Sequence, residues 1–301
     1  MSYTLLDLAK LEAGLAYPVI NETLKMAPEI NVFPAATIDG STMELSVRTG
    51  NPTAAFRNAN EGTAYSQATF KNKVFQTFIL DHQVKIDEAM LRSRKAAAQG
   101  RLKTEHQLGA MEASFHLIGS QIYYGSSETS KGFPGLIEQY DTSNDVAAGG
   151  SGGSTSSVWF LNLGVGNIEL LFGNGQTITF DPTWKMETVL DSSSNPYQAE
   201  TNWMKGNVGL RLANKYAASR ITGIDTGSNK LDDPKLYDLL EKYTTASGRM
   251  PSHIFMTPRS HNQLRASRTA TNADGTPVSL PSTFEGIPIV PTSSITNTET
   301  A

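Results

Sequence analysis

The sequence predicts an α+β fold built around two unusually long elements. Three observations predict it. Residues 37–86 carry strand alternation across most of their length, residues 88–123 step by three and four as a helix does, and residues 233–265 read helix, strand, helix. The first two elements are longer than a compact domain needs, since the mean strand is only about 5–6 residues.

Residues 1–36 read as an N-terminal arm. Leu5, Leu8, Ala9 and Glu12 start a helical pattern, but Pro18, Pro28 and Pro34 interrupt it. The segment has too few apolar residues at one period to form its own core. It is expected to lie across something else.

"TIDGSTMELSVR" then alternates, with Met43, Leu45 and Val47 on one face after a turn at Asp39 and Gly40. "TGNPTAAFRNANEGTAYSQA" has the Gly, Asn and Pro density of an extended loop. The return strand places Phe70, Val74, Phe78, Leu80, Val84 and Ile86 on one face, with Lys71, Lys73, Thr77, Asp81 and Lys85 on the other. At ~3.3 Å per residue this strand would run roughly 55 Å. Residues 37–86 are thus expected to form one long antiparallel ribbon. A two-stranded ribbon is marginal alone in water, so a partner is expected to cover it.

Residues 88–123 follow as a single helix of roughly 50 Å. Its apolar stripe is Leu108, Met111, Phe115, Ile118 and Ile122, thinning upstream through Leu102, Ala98 and Leu91. Gly100, Gly109 and Gly119 weaken it by about 1 kcal/mol each relative to Ala, so tertiary packing must hold it. Gly125 is expected to end it.

"KGFPGLIEQYD" is a turn-rich crossing, and "DVAAGGSGGSTSS" is flexible by composition and read as a surface loop. Two β-rich stretches follow, "SSVWFLNL" to "QTITF" and "NWMKGNVGLRLANKYAASRITGID". Asp233 and Pro234 are expected to open a helix that Gly248 stops. "SHIFM" reads as a buried strand and Thr257-Pro258 as a second helix start. "FEGIPIV" reads as a late strand that Pro288 confines to an edge or irregular position.

Composition excludes several classes of function. The chain has 301 residues and no cysteine, which removes disulfides, zinc–thiolate sites, iron–sulfur clusters and thiol catalysis. No apolar run is long enough for a membrane span, and the N-terminus lacks the pattern of a secretory signal. A net charge of −4 argues against a dedicated nucleic-acid binder.

No catalytic, metal or cofactor site emerges. His106 and His116 share the helix about 15 Å apart and cannot share a metal. Glu112 and His116 face each other, with Glu105 nearby, and read as a structural pair. Ser260, His261 and Asp225 could be imagined as a hydrolase triad, but no G-x-S-x-G elbow supports them. The glycines of "GVGNIE" and "FGNGQ" read as turns, since no third glycine completes a nucleotide loop. Arg92, Arg94, Lys95, Arg101 and Lys103 read as a solvated helix end; the functional alternative is contact with an acidic neighbouring subunit or enclosed nucleic acid. Arg57, Glu61, Lys71 and Lys73 read as intersubunit ion pairs, against the plainer reading of a charge-protected strand edge. Phe78 joins them as a candidate intersubunit contact.

Several stretches, in this order, resemble the major capsid proteins of tailed bacteriophages with the Hong Kong 97-like fold. They are "NEGTAYSQATF", "FQTFILDHQVKIDEAMLRS", "IYYGSSETSKGFPGLI", "GNVGLRLANKYAASRITGID" and "HIFMTPRSHNQLR" through "FEGIPIV". The resemblance covers most of the chain. It implies an arm at 1–36, an extended loop and flanking strands at 37–86, and a peripheral domain with a spine helix at 87–130. An axial domain at 131–275 and a return to the peripheral domain at 276–301 complete it. Leu108, Met111, Phe115, Ile118 and Ile122 would be spine-helix core.

The resemblance further implies a structural protein, not an enzyme, that self-assembles into hexamers and pentamers. These would form an icosahedral virion shell around double-stranded DNA, assembled in the host cytoplasm. Its partners would be other copies of itself, a portal, a separate scaffolding protein, a decoration protein in some shells, and DNA through weak non-specific contact. No membrane or cofactor is implied. One relative cross-links its loops through Lys and Asn; Lys71 and Lys73 match by location only. The alternative is an encapsulin-type bacterial compartment enclosing cargo enzymes. A tail or adhesin subunit fits less well, because no sequence repeats are seen.

Overall fold

A computed structural model describes residues 27–268 and 279–299. Most of the expected arm, residues 1–26, lies outside the described residues, as do 269–275 of the expected axial domain and 276–278 and 300–301 of the expected return segment. The described chain begins with a one-turn helix, α1 (Glu29–Val32), and β1 (Ala35–Thr37). Both pack on the body of their own subunit. Phe33 is buried in the main core, and β1 pairs in parallel with β7 (Ile168–Phe172). The part of the expected arm after residue 28 is therefore a strand and a core contact of this subunit.

β2 (Thr42–Gly50) and β3 (Thr69–Gln76) form an antiparallel hairpin. β4 (Phe78–Asp87) does not continue it. β4 pairs instead with β10 (Pro196–Leu212), from Asp87 opposite Ala199 to Phe78 opposite Val208. The expected single ribbon over 37–86 is thus two units joined at Thr77. The cause is local. Thr77 bonds Ser41 O through both its amide (2.8 Å) and its hydroxyl (3.2 Å). Two glycines let other strands press in here. A Cβ on Gly209 would sit 2.6 Å from Gln76 O, and one on Gly173 would sit 2.5 Å from Thr77 Oγ1. The side-chain phase also resets. Before Thr77 the odd residues Lys73 and Phe75 face the body; after it the even residues Phe78, Leu80, Val84 and Ile86 do. Phe70 and Val74, grouped by alternation on one face with Phe78, Leu80, Val84 and Ile86, are instead 63% and 65% exposed on the subunit.

The expected helix 88–123 is also two helices. Asp87 caps the short α2 (Glu88–Arg92), accepting from Ala89 N at 2.8 Å. Ser93 turns its hydroxyl back onto Met90 O, and Lys95 takes an extended backbone conformation. The long α3 (Ala96–Tyr124) starts there and ends at Gly125, whose φ is +55°. A Cβ on Gly119 would meet Ser294 Oγ at 2.3 Å. That glycine lets the C-terminal segment press against the helix.

After a turn of helix, α4 (Leu136–Gln139), and β5 (Val146–Ala147), the two β-rich stretches resolve into β6 (Ser156–Leu161), β7, β8 (Thr179–Phe180), β9 (Lys185–Leu190), β10 and β11 (Ala218–Ile224). The glycine-rich loop between β5 and β6 is held at Gly150, whose amide bonds Gly223 O at 2.9 Å. β10 organises the first sheet, pairing along its length with β9, β8, β7 and β4. The second sheet runs β13 (Thr283–Phe284), β14 (Ile287–Pro291), β12 (His253–Met256), β6, β11, β5. Two helices pack by it, α5 (Asp233–Ser247) and α6 (Pro258–Ser267). The cap of α5 is Asp232, one residue before the expected Asp233; its carboxylate accepts from Lys235 N. Gly248 stops the helix in the left-handed region, φ +67°.

Two cores result. One gathers Ile118, Ile122, Tyr123, Trp159, Leu170 and Phe255 between the long helix and the sheets. The other gathers Phe160, Ile221, Leu236, Leu239, Tyr243 and Ile254 under α5. β6 is buried on both faces and serves both, Trp159 and Leu161 on one side and Val158 and Phe160 on the other.

Candidate functional site

Among the described residues, no three His, Asp or Glu side chains are placed to hold a metal ion, and no helix is long and apolar enough to cross a membrane. The imagined triad residues are separately engaged. Ser260 bonds Thr257 and Ser156, His261 donates to Pro281 O at 2.7 Å, and Asp225 accepts from Gly227 N and Asn229 N. Gly164 and Gly166 of "GVGNIE" and Gly175 of "FGNGQ" sit at positive φ in turns beside β7.

What stands out is the hairpin β2–β3 with the loop 51–68 at its tip. Every loop residue is exposed except Ser66 and Ala68, which are half-buried. The loop is nevertheless built. Ser66 exchanges two hydrogen bonds with the Thr53 backbone, at 2.8 and 3.0 Å. Arg57 Nη1 donates to Glu61 O (3.0 Å), and the Asn58 amide donates to Glu61 Oε2 (3.1 Å) around Asn60, which takes a positive φ of 68°. Phe56 and Tyr65 carry their rings into solvent on this frame, and Phe70 and Val74 add an apolar outer face lower on β3. An exposed apolar strand edge of this kind is a ready interaction surface.

The base of the hairpin is fastened to the body. Phe75 is buried with Ile38 and Leu171, with Met43 and Leu45 packed alongside. Lys73 is half-buried and donates to Ala213 O (3.1 Å) and Leu212 O (3.4 Å) at the end of β10. Burial holds its pKa below the usual lysine value, and the positive charges of Lys71 and Lys215 add to that. Beneath lies a buried ion pair, Arg211 with Glu169 on neighbouring strands, 7% and 3% exposed. Arg211 Nη1 also donates to Met43 Sδ at 3.3 Å.

The structure sorts the sequence-derived residues accordingly. Arg57 and Glu61 meet in one turn and bond within their own loop. Lys71 is exposed on β3, while Lys73 is turned to the body. Phe78 lies past Thr77 in the first sheet and packs half-buried on the main core. On the long helix, Ile118 and Ile122 are buried, and Met111 and Phe115 are half-buried. Leu108 is not in the subunit core: it is 49% exposed, because the covered face upstream runs through Leu102, Ala110 and Ser114. Arg94, read as solvated, is buried.

Sequence reasoning missed Arg211, Glu169 and Thr77. A usable signal existed for the first: an arginine flanked by Leu210 and Leu212 in a buried run needs a buried partner.

The assembled features, a fastened hairpin with an apolar tip beside a long helix and two sheets, define a shell-subunit fold. Solved structures share it. The chain aligns over 100% of its length with a chain from a near-atomic structure of bacteriophage Epsilon15, covering 97% of that chain, at TM-score 0.69 and 20% identity. A chain of the bacteriophage JBD30 capsid aligns with 94% of this chain and 97% of its own, at TM-score 0.56 and 7% identity. The fold is thus Hong Kong 97-like. By sequence, the profile of the family of major capsid protein GP7 matches residues 19–301, and the chain belongs to that family. Comparison with curated sequences gave no match. The role is structural, as a subunit of a phage capsid shell.

Proposed function

We propose that this chain forms hexamers and pentamers that tile an icosahedral shell around double-stranded DNA, and that the hairpin tip is the part each copy lends to its neighbour. The observation that carries this is the hairpin itself. Phe56, Tyr65, Phe70 and Val74 are exposed, yet the strand bearing the last two is fixed at its base by Phe75 and Lys73. A rigid base with an uncovered apolar tip suits burial on another copy, worth roughly 25 cal/mol per Å². Lys71, exposed beside this face, is the intersubunit ion-pair candidate; Arg57 and Glu61 shape the loop.

In this reading residues 1–36 supply the arm and its root, 37–86 the extended loop with its strands, and 87–130 the peripheral domain around its spine helix. Residues 131–275 form the axial domain and 276–301 return to the peripheral one. Other copies of the chain are the main partner. A portal, a separate scaffolding protein and, on the outer face, a decoration protein complete the set, with weak contact to DNA and assembly in the host cytoplasm. The chain carries no catalytic activity of its own. Membership of a capsid family favours this over an encapsulin-type compartment.

The test is to replace residues 51–68 with Asn-Gly and image purified protein by negative stain beside the unchanged chain. The expected result is a folded body with the circular dichroism of the parent and no closed shells. Normal shells from the shortened chain would overturn the role given to the loop.

A further inference from the structure

The long helix α3 begins in a positive corner. Arg92, Arg94, Lys95, Arg101 and Lys103 lie within twelve residues. Three of them are answered at home: Arg92 by Glu88, Arg101 by Glu105 at 3.9 Å, and Lys103 by Glu200. Lys103 also sits over the Trp184 ring, 5.4 Å from its centre.

Arg94 is different. It is 8% exposed, and its Nε and Nη2 are closed off from solvent with no hydrogen-bond partner among the described residues. Gln99 Nε2 donates to the Arg94 carbonyl at 2.9 Å, which fixes the backbone and leaves Nε and Nη2 unanswered. The next residue, Lys95, is exposed and makes no side-chain cap, and the first turn of this 29-residue helix carries no acid. The positive end of the helix dipole therefore meets two cations with no ion pair among the described residues, the reverse of the favoured arrangement.

A buried charge without a partner is strongly unfavourable. Lysine or histidine could lose its proton, but arginine stays charged. Among the described residues nothing supplies the counter-charge of this cation. We propose that Arg94 receives a carboxylate from a second copy of this chain, so that the ion pair is completed only on assembly. This rests on the shell function above. A carboxylate is favoured over a DNA phosphate for two reasons. The chain holds 29 acidic against 25 basic residues, so copies have carboxylates to spare. A nearly closed site also admits one flexible side chain more readily than the continuous charged surface of a duplex.

The experiment compares the unchanged chain, Arg94→Met and Arg94→Lys, expressed without phage DNA. It reads the unfolding midpoint of dispersed subunits and the closed-shell fraction by sedimentation. Arg94→Met is expected to unfold no earlier than the parent, since it removes an unpaired charge and keeps the packing. Its closed-shell yield is expected to fall about tenfold or more, as when one member of an interfacial charge pair is lost. Arg94→Lys, a point charge without the planar fork, is expected between the two. Parental shell yield from Arg94→Met would overturn the proposal. So would an earlier unfolding midpoint, which would place the partner within the subunit. Full assembly of Arg94→Met in infected cells with reduced DNA content would assign the site to phosphate and overturn it equally. If the unchanged chain itself makes no shells, the shell function fails first and this inference with it.

Discussion

The hydroxyl of Tyr123 donates to the carboxylate of Glu29 at 3.0 Å, and both residues are fully buried. The next residue repeats the arrangement: Tyr124 donates to Glu299 at 2.5 Å. Two consecutive residues at the end of one helix thus pin the segment that follows residue 27 and the segment that ends at 299. Glu29 also accepts from Ser294 at 3.1 Å, so the two segments touch across the helix. No ion pair to Glu29 is present among the described residues, and burial raises its pKa above the usual glutamate value, with the hydroxyl donors offsetting part of the rise.

That carboxylate gives a pH dependence of fixed sign. A carboxyl with a raised folded-state pKa holds its proton to higher pH than it does in the unfolded chain. Its contribution is fully present below the ordinary value of 4.5 and is lost as pH rises through the folded value. Glu299, raised by burial in the same direction, acts with the same sign. Replacing Glu29 with Gln removes the charged form and keeps an acceptor for Tyr123. The variant should be the more stable at pH 7, with a flatter fall in stability as pH rises above 4.5. Denaturant unfolding of dispersed subunits at several pH values measures this, and a slope equal to the parent's would remove Glu29 as its source.

The Arg211–Glu169 pair makes an asymmetric prediction. Glu169→Ala leaves a buried guanidinium unpaired and should destabilise by about 3–5 kcal/mol, while Glu169→Leu with Arg211→Met should lie near the parent. Because Arg211 also reaches Met43, the double variant should speed amide exchange in β2, the strand 42–50, while leaving β12 protected. Equal losses in the single and double variants would show that the charges are not coupled.

The long helix offers a direct comparison of two residues that periodicity placed on one stripe. Ile122→Ala should cost about 2–5 kcal/mol. Leu108→Ala, at a half-exposed position, should change the dispersed subunit by about 0.5 kcal/mol or less. Chemical denaturation decides between them. A large loss at Leu108 would mean that the upstream stripe is covered within the subunit after all.

Element types were well marked in the sequence, and their ends less so. The alternation in β2 and β4, the three-four step around Ile118 and Ile122, and the stops at Gly125 and Gly248 were legible because period and backbone preference are local properties. The breaks at Thr77 and Ser93–Lys95 were not. Each depends on contacts with distant or turned-back groups: Ser41 and the close passage at Gly209 in the first case, the Ser93 hydroxyl on Met90 O in the second. Alternation simply ran through Thr77, so Phe70 and Val74 were grouped on one face with Phe78, Leu80, Val84 and Ile86, from which the phase reset separates them. The candidate site was half legible. An extended loop at 51–68 that needs cover followed from composition, whereas its fastening by Phe75, Lys73 and Arg211 did not.

The sequence by itself determined that this chain is an α+β protein with a long hairpin, a long helix and no cysteine chemistry, because periodicity, turn residues and composition do not depend on what folds against them. Only the tertiary structure decided which faces are covered. It placed β4 in the body sheet and left the β3 outer face bare. It also buried Arg94 with no acceptor for Nε or Nη2 among the described residues, and tied both described ends of the chain to Tyr123 and Tyr124. Burial and counter-charge are set by groups far apart in the chain, and local patterns carry no record of them.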